Sequence, residues 1–150
     1  MPGIDSYSLD NYGLDGPSFV YPDYATGSFT AGSNFQDFTM DDGFPLNFRG
    51  FIVTGLSFRP KKIVVRNTNK QLAFLAYDSA TASGVPNADG TSFSLALYGL
   101  VYSGRDFRMM RIREYSGNPM ANTYGYVTPS SFNLPCPGLN TDVMIWEAFG

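Results

Sequence analysis

An antiparallel β-sandwich is the fold class this sequence predicts, and three observations predict it. Short β-branched and aromatic runs recur, as in Phe51-Ile-Val-Thr54 and Lys61-Lys-Ile-Val-Val-Arg66, and such residues suit a pleated, half-buried surface. Sixteen Gly and ten Pro interrupt every window in which an i, i+3, i+4 apolar stripe would have to run, so no capped amphipathic helix is expected. Turn chemistry separates the runs at the spacing of a sandwich or a barrel.

Taken in order, residues 1–27 read as an extended N-terminal arm ahead of a sandwich domain over 28–150. The arm is rich in Gly, Pro, Asp, Ser and Tyr and sustains neither strand nor helix periodicity. Its Ile4, Tyr7, Leu9, Tyr12, Leu14, Phe19 and Tyr21 are too many for a freely solvated tail, so it is expected to lie along its own domain or a neighbouring subunit. Strands are expected near 28–31, 34–40, 48–55, 61–66, 71–77, 92–102, 106–115, 123–128 and 142–149. The connectors carry the punctuation: Asp41-Asp-Gly43, Ser83 to Gly90, Tyr102-Ser-Gly-Arg105, Ser116-Gly-Asn-Pro119 and Leu134-Pro-Cys-Pro-Gly138. The final run, Val143 to Gly150, places Met144, Trp146 and Ala148 on one face and Val143, Ile145, Glu147 and Phe149 on the other. Both faces are largely apolar, which implies cover on two sides, either by a second subunit or by Lys and Arg stems folded across one of them.

Composition narrows the chemistry. A single domain of 150 residues buries about 68–70% of the surface of its unfolded chain and needs no staple. None is available, because Cys136 is the sole cysteine, and it reads as a small buried hydrophobe. With no His in the chain, Ser-His-Asp and Cys-His catalysis and imidazole zinc sites drop out. No phosphate-binding loop, dinucleotide fingerprint, nucleophile elbow or EF-hand loop is present, so neither a cofactor nor a metal is expected. Asp10, Asn11 and Asp15, like Asp41 and Asp42, are read as Asx-turn residues in preference to a calcium site, since neither group has the alternating ligand spacing. A net charge of −3 with 15% charged residues lacks the basic footprint of a nucleic-acid binder. No apolar run is long enough to span a bilayer, and Met-Pro-Gly-Ile-Asp is not a secretory signal, so neither membrane insertion nor Sec export is expected.

What remains for recognition is aromatic and cationic. Ten Tyr and thirteen Phe offer flat apolar faces, the Tyr with a hydroxyl at the rim. Tyr102, Tyr124 and Tyr126, with Arg105, stand beside Gly-containing turns and form the candidate ligand-binding set, the rings to stack on sugars and the guanidinium to bond hydroxyls or anions. Tyr98 and Tyr115 have the same placement. Arg111 and Arg113, on one face of a strand with Phe107, Met109 and Tyr115, either meet an anionic polymer or form a solvated or cross-strand-paired face; the second is preferred. A paired-carboxylate glycosidase would need two of Asp37, Asp41, Asp42, Asp78, Asp89, Asp106, Glu114, Asp142 and Glu147 to face each other across a cleft, but most of these sit in turns, where Asp is ordinary.

The stretch Phe51-Ile-Val-Thr-Gly-Leu-Ser-Phe-Arg-Pro-Lys-Lys-Ile-Val-Val-Arg66, taken with Val143-Met-Ile-Trp-Glu-Ala-Phe-Gly150, resembles the C-terminal β modules of bacteriophage tail-fibre and baseplate receptor-binding proteins. In those a Gly-Leu-x-Phe-x-Pro-Lys turn leads into an Ile/Val strand and the chain closes on a Trp-x-Ala-x-Gly-like strand. The resemblance covers roughly Phe51 to Gly150. It implies a jelly-roll or H-type-lectin-like sandwich, a homotrimer, other virion proteins as partners, and a place in a virion assembled in the host cytoplasm. The expected function is non-catalytic attachment to a host surface polysaccharide. The rivals are a carboxylate-dependent polysaccharide-degrading enzyme and a purely architectural virion protein.

Overall fold

In the computed structural model, residues 23–40, 42–69, 74–86, 92–100, 106–117 and 125–150 are described. They form ten strands: β1 (Tyr24–Thr30), β2 (Phe35–Thr39), β3 (Pro45–Val53), β4 (Lys62–Asn67), β5 (Phe74–Pro86), β6 (Ser92–Leu100), β7 (Asp106–Glu114), β8 (Gly125–Val127), β9 (Phe132–Pro135) and β10 (Val143–Phe149). No helix occurs among the described residues. Neighbouring strands run in the order β1-β10-β4-β5-β6-β7-β8-β9-β3-β2. Every pair is antiparallel except β7–β8, where Ile112, Arg113 and Glu114 run alongside Gly125, Tyr126 and Val127 in the same direction.

This ladder folds over into two facing layers, and aromatic contacts between strands far apart in it show where. Phe29 of β1 stacks on Phe51 of β3 with centroids 4.3 Å apart, and Phe132 of β9 meets Trp146 of β10 edge-on at 5.6 Å. The β1–β10–β4 end therefore lies over the β8–β9–β3 end, which makes a β-sandwich. An isolated bridge from Met40, just after β2, to Met110 of β7 ties the far end of the ladder back to its middle.

Period-two alternation builds the core. Along β4 the side chains of Ile63, Val65 and Asn67 are buried while Lys62 and Arg66 are exposed. Ile63, Val65, Leu75, Tyr77, Met110, Ile112, Val127, Phe132, Leu134 and Met144 are all fully buried, each aliphatic member being stabilised by about 1.5–3 kcal/mol relative to an exposed position.

Three elements differ from the sequence expectation. β1 begins at Tyr24, inside the stretch 1–27 assigned to the arm, and the cause is Gly27. A Cβ there would lie 2.8 Å from the Trp146 indole, so this Gly permits a close approach within a strand and does not mark a turn. Residues 1–22 lie outside the described residues. β9 was not expected, because Leu134-Pro-Cys-Pro-Gly138 read as a turn. Thr128 closes the β8–β9 hairpin, its N–H donating to Ser131 O at 2.8 Å and its hydroxyl sharing a 2.6 Å hydrogen bond with that of Ser131. Pro135 ends the strand, where its missing N–H costs least. Finally, β5 runs on to Pro86, with register shifts after Tyr77 and Ala82, into residues read as a turn.

The loop between β3 and β4 is pinned. Gly55 has φ +78°, a left-handed conformation that Gly tolerates without strain. Leu56 N–H donates to Ser130 O at 2.9 Å, Phe58 is buried, and Lys61 N–H donates to Phe149 O at 2.7 Å.

Candidate functional site

Of the four residues selected from sequence, Tyr102, Arg105 and Tyr124 lie outside the described residues, as does the side chain of Tyr98. Tyr126 is described, on the three-residue strand β8, and it is only 8% exposed. Burial pushes its phenol above the usual tyrosine value. Its ring stands edge-on to Tyr115, centroids 6.2 Å apart. A ring so enclosed offers no open face to a sugar, so any exposed aromatic surface here belongs to its neighbours.

Those neighbours form a compact group where β7 ends. Tyr115 is half-buried and follows directly on β7. Arg113 of β7 lies over its ring with Cζ 5.8 Å from the centroid, a cation–π distance. Arg59, from the loop between β3 and β4, donates from Nη2 to the Tyr115 carbonyl at 2.6 Å, and Tyr115 N–H donates to Val127 O at 2.9 Å. The group can present one aromatic face and one guanidinium side by side, suited to a sugar ring or an anionic substituent. Arg59 was missed from sequence because it sits in a turn motif about 56 residues from its partner. Arg111 and Arg113 are both half-buried. Arg111 reaches the β2–β3 turn, where a Cβ on Gly43 would lie 3.7 Å from its Nη2.

A second polar surface lies on the outward side of β1, β10 and β4. Glu147 accepts from Arg66 Nη2 at 3.2 Å and from Tyr24 Oη at 3.1 Å, while Val143 and Ile145 on the same side of β10 stay 39% and 37% exposed. Arg66, Asn67, Thr68 and Ile145 line a shallow, open depression here. Beneath it, the buried Asn67 donates from Nδ2 to Asp142 Oδ2 at 2.9 Å and to Pro137 O at 3.1 Å, and Leu139 N–H donates to the same Asp142 oxygen at 2.9 Å. This network clamps the β9–β10 loop to the end of β4.

Several of the described carboxylates have structural work in hand. Asp42 Oδ1 accepts from Phe44 N–H at 3.0 Å in an Asx turn, Asp37 Oδ1 from Asn47 Nδ2 at 2.8 Å, and Glu114 Oε1 from the buried Tyr77 hydroxyl at 2.6 Å. Asp78 faces Lys62 at 3.7 Å. Cys136 is buried, and that burial pushes its thiol up to about 12, with a lesser raising effect from Asp142 and a lowering one from Arg49. No protein-family model, curated protein or solved structure matches this chain.

Proposed function

We propose that this chain is a non-catalytic structural and attachment protein of a phage or phage-like virion, working as a homo-oligomer beside other virion proteins and binding a host surface polysaccharide. The observation that carries the reading is the pairing of the two stretches on which the resemblance rests. They are separate in sequence, yet β10 pairs directly with β4, Trp146 opposite Val65 and Ile145 opposite Arg66. The Gly-Leu-Ser-Phe-Arg-Pro-Lys loop between β3 and β4 is pinned by hydrogen bonds at Leu56 and Lys61. The resemblance thus concerns one structural unit, a turn and two adjacent strands.

The Arg113–Tyr115 group, backed by Tyr126, is the ligand face, and Tyr102, Arg105 and Tyr124 are carried over from the sequence as further ligand residues. Stacking and guanidinium contacts bind sugars without breaking bonds. The test is incubation with host cell-wall polysaccharide, following both retention on the polymer and release of reducing ends. Retention without release, weakened at least tenfold in Tyr115→Ala, Arg105→Ala and Tyr124→Ala with the fold intact, is the expected result. Release of fragments that stops when one Asp or Glu is changed to its amide overturns the non-catalytic reading. Unchanged retention in all three variants discards the site.

A further inference from the structure

The two ends of the strand ladder are managed differently. β2 carries Asp37, and the residue after it, Met40, is bridged to β7. β1 ends the ladder on the other side, and among the described residues no strand pairs with its outer edge. Gly150 N–H donates to Asp23 O and Ala31 N–H to Asp142 O, each at 2.8 Å, so the odd-numbered residues of β1 bond to β10. The N–H and C=O groups of Tyr24, Thr26, Ser28 and Thr30 consequently point away from β10. The edge reads Tyr-Ala-Thr-Gly-Ser-Phe-Thr. It lacks the devices that blunt open edges: a charge, a Pro or a bulge.

We propose that this edge is a homotypic interface at which β1 pairs antiparallel with β1 of a second copy about a two-fold axis at Gly27. In that register Thr26 faces Ser28 and Tyr24 faces Thr30, and all four outward-pointing residues form hydrogen-bonded pairs across the seam. Three observations select a second copy as the occupant. The segment is self-complementary in chemistry, with two small hydroxyl residues flanking the centre: Thr26 donates its hydroxyl to Trp146 O at 2.7 Å and keeps acceptor capacity for the hydroxyl of Ser28 across the seam, and Thr–Ser pairs bond across antiparallel strands. It carries no charge, so a two-fold axis sets no like charges against each other, and a charged partner strand finds no counter-ion. Gly27 at the axis has no side chain of its own, its inner side being occupied by Trp146. The outward face bearing Tyr24, Val143 and Ile145 then continues across the seam. Two seven-residue strands bury less than the roughly 1,200 Å² of a standard stable interface, so the pairing is concentration-dependent.

The test is the solution mass of the full chain across a dilution series, together with amide hydrogen exchange. The expected result is an even-numbered oligomer at high concentration, with exchange at Thr26, Ser28 and Thr30 slowing severalfold as it forms. Ser28→Pro, which removes one outward N–H and no bond to β10, and Thr26→Pro, which removes one outward N–H together with the hydroxyl's bond to Trp146 O, should each halve the mass while the fold persists. A chain monomeric at every concentration overturns the proposal. So does exchange at these three amides that ignores concentration, a readout that holds even where a Pro variant fails to fold. A trimer whose mass ignores both substitutions also overturns it, while leaving the attachment reading intact, because polysaccharide retention does not depend on β1.

Discussion

The inward and outward sides of the β10–β4 ladder share a backbone and differ in almost everything else. Inward, Met144, Ala148, Ile63 and Val65 are fully buried, and the polar pair at the end of β4, Asn67 with Asp142, is sealed with them. Outward, one residue away along the same strands, Arg66 and Glu147 form an ion pair with side chains 61% and 29% exposed. The inner pair is neutral on one side and its side chains are held by at least four hydrogen bonds; the outer pair carries full opposite charges. The inner pair matters more, because water cannot replace its bonds once they are broken, whereas solvent screens the outer one.

The strongest way to break the comparison is to empty the inward side. Phe132, fully buried and in edge contact with both Phe51 and Trp146, should cost about 3–5 kcal/mol on Phe132→Ala, read as a drop in the urea midpoint at constant slope. A loss under 1 kcal/mol would mean that the two layers do not meet there.

Next in size is the sealed pair. Asp142→Ala strips partners from Asn67 Nδ2 and Leu139 N–H and should destabilise by roughly 2–3 kcal/mol. Amide exchange at Leu139 should rise as the β9–β10 loop comes free. Full protection at Leu139 in the variant would show that the clamp lies elsewhere.

Cys136 sharpens the same contrast through pH. Its thiol is held neutral, raised from 9.0 to about 12, so above pH 9 the unfolded chain gives up a proton that the folded chain keeps. Stability from this group is complete below pH 9 and falls by about 1.4 kcal/mol per pH unit between 9 and 12. Denaturation midpoints of the parent chain and of Cys136→Ala, compared at pH 8 and pH 10, should converge at the higher pH. Parallel shifts in the two proteins would contradict the assignment.

The outward side supplies the smallest effect. Arg66→Ala should cost less than about 1 kcal/mol, and the difference should shrink in high salt. A salt-independent loss as large as that of Asp142→Ala would erase the distinction between the two sides.

Much of the fold was legible beforehand. The Ile-Val-Val run of β4 and the closing Val-Met-Ile-Trp run announce themselves, because β-branched residues and strict alternation have few other uses. β9 was hidden by the turn signal Leu134-Pro-Cys-Pro-Gly138, which overlaps its last two residues; a Pro marks a loop locally but tolerates a strand's end. The start of β1 was hidden by Gly27, whose reason is a ring 119 positions away in the chain. Of the candidate site, Tyr126 was chosen as an open platform and is enclosed, and Arg59, which bonds to the Tyr115 carbonyl, was passed over as part of a turn.

By itself, then, the sequence determined the all-β class, most strand positions, the two alternating residue sets of β10 and the removal of His-dependent chemistry, since each follows from local propensity, period-two patterning or plain composition. The tertiary structure alone decided that β10 would lie between β1 and β4, that β7 and β8 would run parallel, and which polar groups would be sealed. Those outcomes depend on which surfaces exclude water together, a property of pairs of distant segments that no local window contains.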